Sequence, residues 1–220
     1  MKRSLYFILT IGWSVVTQPV TVQAEVQAHP LVKQISETKY KIGKVHLDKA
    51  TREITFPATT HVTDSETVIE YILTHSTGEK THETLLTTDV QPIQINLAFK
   101  LLNYPESQGL LIPNTKLDLA ARFSIHVSHE GKNTPITSWL QHRDTRKPMP
   151  LTPWVYNGSF ITRKRFMAEF NGNIFSIISE PSSLGNYAGE DREDDTLWFP
   201  SSRTPKPGTQ VTVTIKPWKS

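Results

Sequence analysis

A chain of 220 residues with no cysteine cannot hold a Cys-ligated iron–sulfur cluster, a thiolate zinc site, a disulfide or a cysteine nucleophile. Its 24 Lys and Arg stand against 21 Asp and Glu, so the overall charge gives no electrostatic argument for nucleic acid or for an anionic membrane. Any bound metal must therefore sit on His, Asp and Glu.

The N-terminus carries the clearest signal. Met1-Lys2-Arg3 is a short basic start, Ser4 to Val16 is uncharged and apolar, and "TQPVTVQA" ends in Val22-Gln23-Ala24. That order is a secretory signal peptide over residues 1–24, cleaved after Ala24. Lys2 and Arg3 leave with it, so the net charge falls from +3 to +1. The apolar run is shorter than the roughly 20 residues of a membrane span. The expectation is an exported protein, periplasmic or secreted, with no stable membrane anchor after cleavage. Residues 25–40 read as a loose leader in which "LVKQI" fits a short helix or strand contact.

Strand signals begin at Lys41. "KIGKVHLD" and "REITFPA" alternate apolar and polar residues around the short turn "KAT", a hairpin pattern. "TVIEYILTH" and "KTHETLLTT" read as a second hairpin around "STGE". Asp89 is a helix N-cap candidate, and Pro92 suits a first turn. Ile93, Leu97 and Leu101 recur at helical spacing, and Asn103 with Pro105 gives the stop. "PESQGLLIPNTK" is a loop with exposed-looking Leu110, Leu111 and Ile112. "ARFSIHVSHE" alternates cleanly, "GKN" turns it, and "TPITSWLQH" is the expected return strand. "WVYNGSFI", "RFMAEF" and "GNIFSIIS" follow, and after a long polar loop "QVTVTIKP" closes the chain. The expected fold class is α+β, mainly antiparallel β in sandwich-like sheets, with one amphipathic helix near residues 90–103. Residues 41–220 then form one domain, or two packed halves divided near residue 145.

Four blocks in this order, "REITFPA", "EYILTHSTGEKTHETLLTTDVQPIQINLAFKLLN", "WVYNGS" and "PGTQVTVTIKP", resemble the YdjY-like family of exported bacterial proteins. The likeness runs from about Lys41 to Pro217. It implies export and a shared domain without naming a reaction. A ferredoxin-type label carried by some relatives needs Cys ligands that are absent here.

Several residue groups could carry chemistry. With a four-residue loop at Ser76 to Glu79, His75 and His82 share one face of the hairpin, and Glu70 or a distant carboxylate could complete a site for zinc or another divalent metal. With a three-residue loop, His82 turns to the other face and the site is lost. His126 and His129 point to opposite faces of their strand. Trp154 and Tyr156 share a face, and together with Leu111 they are the candidate contacts for an envelope protein or a cell-wall polymer. Arg163, Lys164 and Arg165 read as a solvated basic turn. The run Glu190 to Asp195, five acids in six residues, lacks the spacing of a calcium-binding hand. The leading expectation is a non-enzymatic binding or interaction module of the envelope, without cofactor. The alternative is a metal-dependent enzyme built on His75 and His82 of the 68–88 hairpin.

Overall fold

The computed structural model describes residues 31–219. The expected signal peptide, and the part of the expected leader before residue 31, lie outside the described residues.

The chain opens as an antiparallel meander of β1 (Val32–Gln34), β2 (Lys39–Ile42), β3 (Val45–Asp48) and β4 (Glu53–Thr60). "LVKQI" thus supplies a strand, and "KIGKVHLD" is itself a hairpin rather than one strand. β5 (Tyr71–His75) and β6 (Thr84–Thr88) follow, then helix α1 (Pro92–Leu101). β7 (Arg122–His129) and β8 (Lys132–Pro135) form a hairpin that turns at Glu130 and Gly131. The return strand is therefore "KNTP", and "ITSW" is a 3-10 turn leading into β9 (Leu140–His142). The second half holds β10 (Trp154–Tyr156), β11 (Ile161–Thr162), β12 (Arg165–Phe166), helix α2 (Met167–Asn171), β13 (Asn173–Ser176), β14 (Gly185–Tyr187), β15 (Trp198–Pro200) and β16 (Gln210–Pro217).

Eight of these strands close a barrel in the order β4, β16, β7, β10, β14, β13, β5, β6. β6 returns to β4 through Thr59↔Thr87 and Thr60↔Leu86. The β5–β6 and β13–β14 pairs are parallel and the other pairs of the barrel antiparallel. The protein is β-rich with few helices, as its sequence implies, but a mixed barrel replaces the expected sandwich. Alternating strands serve both architectures equally well. What decides between them is the two-residue contact of β6 with β4, and no local pattern encodes it.

Partner residues in adjacent strands face the same side. Ile54, Ile215 and Ile125 make one apolar row across β4, β16 and β7, and Phe56, Val213 and Val127 make the next. All six are at most 1 % exposed. Phe99 of α1 stacks on Tyr156 at 4.4 Å and meets Phe123 edge-on at 5.2 Å, so the helix adds an aromatic anchor to the core. Each such fully buried side chain contributes roughly 1.5–3 kcal/mol. Gly185 makes room for this cluster, since a Cβ on it would lie 2.7 Å from the Phe123 ring.

Helix α1 starts two residues later than Asp89 would set it. Gln91 is its N-cap, while Asp89 accepts a hydrogen bond from Ser76 Oγ at 2.6 Å. Its buried stripe is Ile95, Ala98 and Phe99, continued by Leu102 just past the helix, whereas Ile93 is 48 % exposed. The stripe expected through Ile93 is thus rotated round the helix.

Candidate functional site

The parallel pairing of β5 with β6 decides where the two candidate histidines go. Tyr71 pairs with Thr84 and His75 with Thr88. His75 therefore ends one strand, while His82, in the 3-10 turn Thr81–Glu83, precedes the start of the other. Four residues of strand, about 13 Å, separate those two levels. The hairpin registers that would bring His75 and His82 together do not exist in this fold. Both ring nitrogens of His75 have partners, Nδ1 with Thr77 Oγ1 at 2.9 Å and Nε2 with the Gln91 side-chain amide at 3.1 Å. His82 is 69 % exposed and lies 3.7 Å from Glu83. Glu70 sits beside Glu83, and burial, reinforced by the Glu83 charge, pushes its carboxyl above the usual range. Among the described residues no three of His, Asp and Glu gather into a metal-holding group.

Trp154 and Tyr156 belong to the core. They are 1 % and 0 % exposed, and Tyr156 donates from its hydroxyl to Asn96 Oδ1 at 2.5 Å. Their shared face is the barrel interior, because Trp154 is the partner of Phe123 on one side and Tyr187 on the other. Leu111 is half-buried in the loop after α1, and its neighbour Ile112 is exposed.

An open site lies on the outer wall instead. Where Ile54, Ile215 and Ile125 point inward, Thr55, Thr214 and His126 form the outward row across β4, β16 and β7. The chain beyond β16 runs on beside this row, held by the Trp218 N–H donating to the Arg122 carbonyl at 3.1 Å. His126, the neighbouring strand residues Glu53, Lys216 and Ser124, and this segment line a groove of about 790 Å³. Trp218, Leu151 and Pro135 supply its apolar lining, and Glu53, His126 and Lys216 its polar groups. Glu53 and Lys216 are ion-paired at 3.5 Å, each about one-third exposed.

Burial, and then the Lys216 charge, hold His126 below the ordinary histidine value, opposed by a hydrogen bond with Asn133 and by Glu53. Its imidazole is neutral at neutral pH and so offers one donor and one acceptor. An aromatic platform, hydrogen-bonding groups of both kinds and a charge pair, arrayed along an open groove, suit a polar chain-like ligand. A second groove of about 630 Å³, lined by His129, Lys132, Trp139 and Arg203, also reaches Pro135.

The strand and helix patterns of the sequence do not mark Trp218. The available signal was an aromatic residue directly after the proline that ends the last strand, in an otherwise polar tail "KPWKS". His126 was singled out there only for its spacing from His129. The row it forms with residues of β4 and β16 depends on strands distant in sequence.

The YdjY domain family model matches residues 45–216 of the chain. No curated protein and no solved structure matches it.

Proposed function

The chain belongs to the YdjY domain family, and from that premise we propose that it is an exported, non-enzymatic binding module of the bacterial envelope. Its binding face is the outer-wall groove of β4, β16 and β7, and its ligand is a cell-wall polymer. The observation that carries this reading is the placement of Trp218, His126 and the Glu53–Lys216 pair in one open groove. Export rests on the order of basic, apolar and small-residue segments before Glu25.

Tryptophan fluorescence tests the reading directly. Trp139, Trp154 and Trp198 are at most 5 % exposed, whereas Trp218 is only half-buried. In the processed chain, which lacks Trp13, soluble peptidoglycan fragments that occupy the groove should shift the emission of Trp218 and leave Trp139, Trp154 and Trp198 unchanged. The shift should be absent in Trp218→Phe, and Trp218→Ala should weaken binding by about tenfold, as expected for one stacking aromatic. Fragments that bind Trp218→Ala as well as they bind the native protein would exclude the groove. Fragments that bind neither would exclude the ligand class.

A further inference from the structure

One surface feature is built on other strands than the groove and is independent of it. β11 and β12 pair only with each other and project from the chain between β10 and β13. Thr162 is the partner of Arg165, so the hairpin turns on the two residues Arg163 and Lys164. Both have positive φ, 46° and 62°. This is the primed turn in which Asn-Gly is the usual pair, because side chains are strained there. Two long cations therefore occupy the tip of the hairpin at a cost in backbone energy.

Large exposed apolar side chains lie on the hairpin and on the helices beside it. Ile161 is 73 % exposed, Phe170 52 %, Ile93 48 % and Phe160 44 %. They are fixed relative to one another. The Arg165 guanidinium lies 4.6 Å over the Phe170 ring, Met167 N–H donates to the Phe160 carbonyl at 3.0 Å, and Glu169 Oε2 accepts from Ile93 N–H at 2.9 Å. Among the described residues no ion pair includes Arg163, Lys164 or Arg165. The nearby carboxylate on α2, Glu169, is engaged at the start of α1.

The geometry points to reversible docking of this hairpin on an anionic phospholipid surface. Ile161, Phe160 and Phe170 enter the boundary between headgroups and acyl chains, while Arg163, Lys164 and Arg165 meet the lipid phosphates. An uncharged polymer offers no counter-charge to three cations that lack a carboxylate partner, whereas an anionic bilayer matches both the apolar side chains and the charge. Docking of this kind needs no spanning segment, and no helix of the described residues is long and apolar enough to cross a membrane.

Vesicle sedimentation tests it, with the protein as cells process it and two compositions: equimolar phosphatidylglycerol and phosphatidylcholine, and phosphatidylcholine alone. The native protein should bind the anionic vesicles and be released by salt. The double variant Arg163→Asn with Lys164→Gly installs the preferred turn pair and removes two cations, so it folds at least as well. Its partitioning should fall about thirty-fold. Ile161→Ser, which keeps all three charges, should fall about tenfold. Equal binding by the native protein and both variants overturns the proposal, as does equal binding to the two lipid compositions. A concentration-dependent dimer in sedimentation velocity that both variants abolish also overturns it, and assigns the patch to a second copy of the chain.

Discussion

Asn157 and Asn186 are each 1 % exposed and tie three segments together. Asn186 Nδ2 donates to Asn157 Oδ1 at 2.7 Å, Glu180 N–H donates to Asn186 Oδ1 at 2.7 Å, and Asn157 Nδ2 donates to the Ser183 carbonyl at 2.7 Å. Asn186→Ala would leave the part-buried Glu180 N–H and the buried Asn157 oxygen without these partners. The expected loss is about 1–3 kcal/mol for each group so stranded, read from urea unfolding. Gly185→Ala tests the aromatic core in the same assay. With Phe123 only 2.7 Å from the new methyl group, overpacking should cost about 1–3 kcal/mol. "WVYNGS" was legible as a block of the chain, but the role of Asn157 was not, because its partners lie more than twenty residues away. His126 gives a pH test whose sign is fixed. Its folded pKa lies below the ordinary 6.5, so as pH falls the unfolded chain takes up the proton first. The stability that accompanies the neutral ring is complete above that value and is lost as pH falls through the folded pKa. His126→Gln should flatten the acid side of the stability profile measured by urea midpoints.

Elements were read well where their period was local and poorly where a partner chose their direction. β4, β7 and β16 announce themselves by alternation, and α1 by its spacing and Pro92. β5 and β6 looked like a hairpin because "STGE" is good turn chemistry. They run parallel because the connection Ser76–Glu83 returns along the strands before β6 begins. Strands of five residues are only about 17 Å long, so eight residues can span the return without a crossover helix. Gly78 and Gly172 permit this path: a Cβ on Gly172, which has φ +78°, would lie 2.6 Å from Gly78 Cα. The basic turn between β11 and β12 was read as ordinary solvated chain, which its composition alone supports. What sets it apart is that two consecutive residues there, neither of them glycine, have positive φ. Arg163→Asn with Lys164→Gly should relieve the strain of both residues and raise stability by about 1–2 kcal/mol, seen as a higher thermal midpoint. The expected combination of a more stable hairpin with weaker vesicle binding separates a structural turn from a docking one.

At the scale of the molecule, a near-balanced total charge concealed a local cluster of cations, and a correct inventory of strands left the closure of the barrel open. Closure depends on pairs far apart in sequence, such as Thr59 with Gln210 and Thr59 with Thr87. Such pairs carry a high loop-closure cost and are formed late or slowly. β16 is the middle strand of the β4–β16–β7 wall, so a chain ending at Gly208 would lose both of its ladders and the inward row Val211, Val213 and Ile215. It is expected to lose cooperative unfolding altogether, as read by circular dichroism during heating. The direction of those ladders has a mechanical consequence. Ile54 faces Ile215 and Thr59 faces Gln210, so the start of β4 and the end of β16 leave the pair at the same end. Tension applied through the two flanking segments would peel the strands apart one hydrogen-bonded pair after another, as a zipper opens, instead of loading the whole row in shear. A pull applied directly at the start of β4 and the end of β16 thus meets the barrel at a seam that opens pair by pair.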